Sequence, residues 1–179
     1  VSDTTDWDYS LDAQSIVSTT KRPNAIAYFT EVTTDAGAIV QATVKNTTDT
    51  SLESYELEPG IGFIVNNSWR TVKFILAGNK LKILQDGSWT YVLTYTSPVD
   101  FNTRIGNGEC EYTIRLVHEN AMFAFQILDG EEWVTICYYS DETFDAVCAY
   151  GLTTTAGGNP VGVEFSNYSL KVGESTREV

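Results

Sequence analysis

The sequence of 179 residues predicts an all-β fold, a two-layer antiparallel β-sandwich, on three observations. A strand, Asp-Gly, Trp, strand pattern occurs twice, at 81–95 (LKILQDGSWTYVLTY) and 123–139 (FAFQILDGEEWVTICYY), and each copy reads as a β-hairpin. Apolar and polar residues alternate with period two between clusters of Gly, Asn, Asp and Ser, and no long stretch carries a helical period. The aromatic complement of 10 Tyr, 8 Phe and 4 Trp suits pleated, half-buried surfaces.

Alternation and breakers place the strands in order. The first two lie near 13–19 and 25–33, divided by 21–24 (KRPN), and a third near 38–45 follows the breaker 35–37 (DAG). Strands near 60–66 and 69–76 flank an Asn-rich tip, and those near 79–85 and 89–96 form the arms of the first Asp-Gly hairpin. Three more, near 110–118, 121–128 and 132–139, are separated by Glu119 and Asn120 and by the second Asp-Gly pair. The last two lie near 146–152 and 160–171, on either side of 156–160 (AGGNP). Twelve short strands exceed what one open sheet comfortably carries, so two layers are expected. The acidic segments 51–58 (SLESYELE) and 141–145 (DETFD) are too short for stable helices and read as loops or single turns.

Register is clearest in the strand near 110–118. Cys110, Tyr112, Ile114 and Leu116 form its core side, and Glu111, Thr113 and Arg115 its wet side. The run 62–65 (GFIV) is apolar on both faces, as a central strand covered on its second side would be. Tyr138 and Tyr139 are adjacent and point to opposite faces, which puts one of them in solvent.

Twenty-four acidic residues against 11 basic ones give a formal charge of −13, which repels phosphates and anionic headgroups. Nucleic acid and membrane surfaces are therefore not expected as partners. No apolar run approaches the length of a membrane span, and no Met opens the chain. The chain reads as one sandwich domain, 1–179, excised from a longer protein, with about 1–11 and 173–179 as polar connections; Trp7 is then a linker residue or a staple onto the domain. Cys110, Cys137 and Cys148 cannot all pair internally and lie among strand-forming residues. Three reduced, buried thiols are expected, with a Cys137–Cys148 bridge as the alternative.

Seven segments carry a resemblance when taken in order: 38–45 (AIVQATVK), 59–65 (PGIGFIV), 72–76 (VKFIL), 81–91, 112–117 (YTIRLV), 123–133 and 161–170 (VGVEFSNYSL). Together they resemble the concanavalin A-like jelly roll, in particular the laminin-G-like modules of bacterial surface and carbohydrate-active proteins. The resemblance implies that the closing strand returns beside the long strand at 38–45. It names no ligand, because its motifs are packing motifs.

Catalytic signatures are missing. Hydrolases of the resembled fold use E-x-D-x-x-E or E-x-D-x-E on one strand, and the nearest approach here is Glu109 and Glu111, both on a wet face. His118, the single histidine, has no G-x-S-x-G partner and reads as a strand-end residue with an ordinary hydrogen bond. No cofactor is expected. The resembled fold leaves room for a structural calcium, for which 98–102 and 141–145 offer oxygen ligands without matching a D-x-D-x-D-G loop. The sequons at Asn46, Asn66 and Asn167 matter only in a eukaryotic source.

Aromatic plates flanked by polar groups are how sugar rings are held. Trp89 and Trp133 occupy near-equivalent hairpin positions and are expected to pack, whereas Trp69 reads as a loop-tip aromatic beside Asn67 and Arg70. The expected ligand-binding set is Asn67, Trp69, Arg70, Glu111, Arg115 and Tyr138. The function expected is a non-catalytic carbohydrate-binding module, monomeric within a larger secreted or cell-surface bacterial protein, with a glycan as partner. The alternatives are an adhesin domain binding a host surface protein, such as an immunoglobulin or matrix component, through a mixed Tyr, Thr and charged face, and a passive spacer.

Overall fold

The computed structural model describes residues 7–10, 15–18, 26–28, 37–46, 57–65, 70–77, 80–85, 93–96, 98, 111–140, 147–156 and 163–173. All twelve expected strands are present, and one more precedes them. In chain order they are β1 (Trp7–Ser10), β2 (Ser15–Ser18), β3 (Ile26–Tyr28), β4 (Ala38–Asn46), β5 (Leu57–Val65), β6 (Arg70–Ala77) and β7 (Lys80–Gln85). There follow β8 (Leu93–Thr96), β9 (Glu111–Glu119), β10 (Met122–Asp129), β11 (Glu132–Ser140), β12 (Val147–Ala156) and β13 (Val163–Val172). They form a seven-stranded sheet of order β1-β2-β13-β4-β9-β10-β11 and a six-stranded sheet of order β3-β12-β5-β6-β7-β8. Every pairing is antiparallel. The closing strand β13 lies against β4, as the resemblance implied.

Turn chemistry explains the second Asp-Gly hairpin. Asp129 pairs with Glu132, leaving Gly130 and Glu131 as a two-residue turn in which only Gly130 (φ 64°) has positive φ, the pattern of a type II′ turn. The arms of the first hairpin pair as expected, Leu81 with Tyr95 and Ile83 with Leu93, while its turn and Trp89 lie outside the described residues.

Two boundaries need correction. The polar leader expected to connect modules contributes β1, an edge strand whose ladder with β2 pairs Trp7 with Ser18 through Ser10 with Ser15. An edge strand needs a neighbour on one side only, so weak alternation suffices there. The acidic segment 51–58 likewise gives up its end to β5, which starts at Leu57 and runs through Pro59. Pro59 pairs with Thr154 of β12, whereas the ladder to β6 starts only at Gly60, so the proline sits where one side of the strand has no partner.

The core lies between the sheets. Phe63 and Phe74 of the six-stranded sheet meet Phe123 and Phe125 of the seven-stranded one, all fully buried. Phe63 stacks on Phe123 at 4.4 Å between centroids and 5° between planes, and Tyr139 meets Phe74 edge-on at 81°. In β9, Tyr112, Ile114 and Leu116 point inward, with Glu111 exposed and Thr113 and Arg115 half-buried on the far face, which confirms the expected register. Cys137 is a free, buried thiol, so the alternative bridge to Cys148 is not formed; Cys110 lies outside the described residues. Gly60 and Gly62, on the outer side of β5, are buried as well, in keeping with a strand covered on both faces.

At the start of β4 the chain makes a close approach. Gly37 has φ 83°, its carbonyl accepts the Gly173 N–H at 3.0 Å, and a Cβ built on it would stand 2.9 Å from the His118 backbone oxygen. Gly37→Ala therefore meets both a disfavoured backbone conformation and a backbone clash, and is expected to cost about 1–3 kcal/mol. Chemical denaturation checks this; unchanged stability would show that the strand end relaxes freely.

Candidate ligand-binding face

Alternation on β9, β10 and β11 turns one set of side chains inward and leaves the other on the outer face of the seven-stranded sheet. Register places Arg115 opposite Gln126, and Gln126 opposite Thr135. A polar relay results. The Arg115 Nε–H donates to Gln126 Oε1 at 2.5 Å, and Gln126 Nε2–H donates to Thr135 Oγ1 at 2.8 Å. The Arg115 guanidinium also lies over the Trp133 ring, 4.0 Å from its centroid, a cation–π contact across the width of β10. On the neighbouring strand the hydroxyls of Thr43 and Thr113 share a hydrogen bond of 3.1 Å.

A bulge sets the aromatic display. The ladder between β10 and β11 slips by one residue, so that Gln126 pairs with Thr135 but Phe125 pairs with Cys137, and Ile136 is the surplus residue. Trp133 and Tyr138 are five apart, an odd spacing that a regular strand would place on opposite faces. The bulge brings both to the outer face. Tyr138 is 65% exposed while Tyr139 is buried in the core, so the solvent-facing tyrosine of the pair is Tyr138.

Beside Tyr138 lies an open depression of about 610 Å³. Arg115 and Gln126 form its floor with Val117 and Ala124, and the β9–β10 turn, Glu119 to Met122, forms one rim. Met122 is 52% exposed and adds an apolar lip. The depression thus offers an aromatic plate, the hydrogen-bonded guanidinium and amide of Arg115 and Gln126, and the Ser140 hydroxyl.

Behind it lies His118. It stands at the strand end and is hydrogen-bonded, as expected, and it is also buried: it stacks on Phe123 at 4.2 Å, with Nδ1 2.5 Å from the Tyr150 hydroxyl and Nε2 bonded to the Asn120 carbonyl. Burial pushes the Tyr150 hydroxyl well above its ordinary range, and pushes the Cys137 thiol up to about 12.

Of the expected binding set, the structure brings Arg115 and Tyr138 to one depression. Glu111 shares the strand and face of Arg115 but stands four residues away, about 13 Å, beyond the depression. Arg70 begins β6, in the other sheet, so it is not joined to that pair. Asn67 and Trp69 lie outside the described residues, as do Glu109 and the two loops considered for calcium, apart from Pro98. Among the described residues no group of three or more His, Cys, Asp or Glu stands ready to hold a metal ion. Gln126, Thr135 and Trp133 were not in the expected set. Their role depends on the register of three strands, although the period-two pattern of β10 does place Gln126 on the face opposite Phe125 and Ile127.

Neither a protein-family model nor a curated protein sequence matches the chain. Solved structures do match in fold. The exoplasmic/lumenal domain of VIP36, in its Ca²⁺/Man2-bound form, superposes with a TM-score of 0.63 at 9% identity, over 97% of this chain and 83% of that one. The carbohydrate-binding module CBM66 from Bacillus subtilis gives 0.52 at 10% identity, over 92% and 90%. A bifunctional GH43-CE protein of Bacteroides eggerthii gives 0.62 at 11% identity, over 97% of this chain but only 24% of that protein. The fold is the concanavalin A-like jelly roll that the order of segments resembled.

Proposed function

We propose that this jelly roll is a non-catalytic carbohydrate-binding module that holds a glycan in the depression on the outer face of β9, β10 and β11. The observation that carries the reading is the exposed Tyr138 ring beside the Arg115–Gln126–Thr135 relay. A sugar presents an apolar ring face and a rim of hydroxyls; the tyrosine would take the first and the oriented polar groups the second. A volume of about 610 Å³ suits one to a few sugar units. The lectin and carbohydrate-binding folds among the structural neighbours support the same reading.

The two carboxylates that β9 brings to this face do not make a glycosidase pair. Glu111 and Glu119, the carboxylates of β9 on this face, are eight residues apart, about 26 Å along the strand. Glycoside hydrolysis needs a pair roughly 5 to 9.5 Å apart. The acidic composition supports display at a cell surface or secretion, where charge maintains solubility.

The test is a glycan array run with wild type and Tyr138→Ala, with and without calcium. Tyr138 is mostly solvent-exposed, so its removal should shift stability by no more than about 0.5 kcal/mol. Retention is expected to fall at least about tenfold. Equal retention by the variant would remove this face from the binding reaction.

A further inference from the structure

The β9–β10 turn is held from inside the protein. Asn120 and Ala121 are its two central residues, since Glu119 pairs with Met122, and Asn120 adopts φ 55°, a conformation that Asn tolerates better than most residues. The Asn120 carbonyl can only accept, so the imidazole nitrogen bonded to it, Nε2, carries a proton. In the neutral ring Nδ1 then accepts from the Tyr150 hydroxyl at 2.5 Å. Burial keeps that hydroxyl protonated far above neutral pH, which makes it a dependable donor. The ring itself is fixed by its stack on Phe123 and by its place between the two sheets.

This arrangement has a consequence on the opposite side of the turn. His118 lies in the core, so the Asn120 carbonyl is turned inward. No peptide bond among the described residues is cis, and in a trans peptide the N–H points away from its C=O. The N–H sharing that peptide belongs to Ala121, a lining residue of the outer depression. No backbone hydrogen bond among the described residues engages it.

We propose that His118 acts as a positioning residue which, through the Asn120 carbonyl, aims the Ala121 backbone N–H into the depression as a hydrogen-bond donor for a glycan hydroxyl. The inference rests on the glycan-binding reading for the ligand, and on the turn geometry alone for the donor. Backbone donors suit such a task, because an amide fixed by a turn loses little freedom when it binds.

Three variants separate positioning from packing. His118→Phe keeps an aromatic ring against Phe123 and removes both hydrogen bonds. His118→Gln retains one donor and one acceptor on a planar amide. Tyr150→Phe weakens the same buried network and leaves the Nε2–Asn120 bond in place. Each is compared with wild type by the Ala121 amide resonance in nitrogen-15 spectra and by its exchange rate, with no ligand present. Each is then measured for retention on arrayed mannose, galactose, fructan and xylan oligosaccharides. The Ala121 signal is expected to move in His118→Phe, to return toward wild type in His118→Gln, and to stay in Tyr150→Phe. Retention should fall about tenfold in His118→Phe alone, the size of one lost hydrogen bond. An unmoved Ala121 signal in a folded His118→Phe would overturn the positioning role. A moved signal with unchanged retention would overturn the donor role. Silence of the wild type on every glycan would overturn the binding reading instead, and the Ala121 signal would still decide whether His118 sets the turn.

Discussion

Phe123→Ala is expected to destabilise the domain by about 3–5 kcal/mol, the largest effect of any single substitution considered for this fold. Phe123 is fully buried and touches both sheets. One face of its ring stacks on Phe63 across the layer gap, and His118 stacks on it at 4.2 Å. Phe74 and Tyr139 stand near its edge, with ring centroids at 6.2 and 6.4 Å. Truncation removes the shared partner of that cluster and leaves a cavity walled by other rings, which collapse poorly because each is held by its own strand. Against a total stability of about 5–15 kcal/mol the variant should be marginally folded. Urea denaturation measures the difference, and a loss below about 1.5 kcal/mol would mean that the stack contributes far less than its burial suggests. Phe125→Ala, one strand turn away, makes a useful comparison, because it stacks on Phe74 and lacks the histidine neighbour.

The second large effect is alkaline. The Cys137 thiol has an ordinary value of 9.0 and is pushed up to about 12, with burial as the main cause and a backbone hydrogen bond from Phe125 opposing it. The unfolded chain releases this proton near pH 9 while the folded chain keeps it, so the unfolded state binds fewer protons over that window. Stability is complete below pH 9 and declines as the pH rises toward 12, by about 1.4 kcal/mol per pH unit for this one group. Tyr150 and Tyr95 are also raised, chiefly by burial, and steepen the decline above their ordinary value of 10.0. Denaturation curves from pH 8 to 11 for wild type and Cys137→Ala would test this. The variant should lose stability less steeply above pH 9; parallel slopes would show that the thiol does not contribute.

Much of the fold was legible because alternation records burial directly. In β9 the apolar positions Tyr112, Ile114 and Leu116 announce the inner face, and the next position in phase is His118. The same phase carries the signal for its burial. The type II′ turn at Gly130 was legible for a local reason, since a two-residue hairpin turn depends on its own residues. β1 was not, because Trp7 to Ser10 gain their strand conformation from β2 and carry no pattern of their own. The site was legible only in part. Arg115 is placed outward by the phase of β9, but its approach to Trp133 depends on β10 lying between them in one register. Which of Tyr138 and Tyr139 faces solvent depends on the bulge at Ile136, and no composition rule gives the position of a bulge in advance.

The place of β13 governs when the domain can form during synthesis. The last strand described sits inside its sheet, between β2 and β4, with Phe165 in the core. A chain emerging from the ribosome exposes β1 and β2 first, yet their link to the rest of the sheet is the final strand to appear. At about 5–20 residues per second, the early hairpin waits many seconds for its neighbour. During that interval β4 offers one unpaired edge to whatever strand is near, and neighbouring nascent chains carry the same edge. This sheet therefore closes only after β13 has emerged, and the yield of native protein depends on keeping that open edge covered until then.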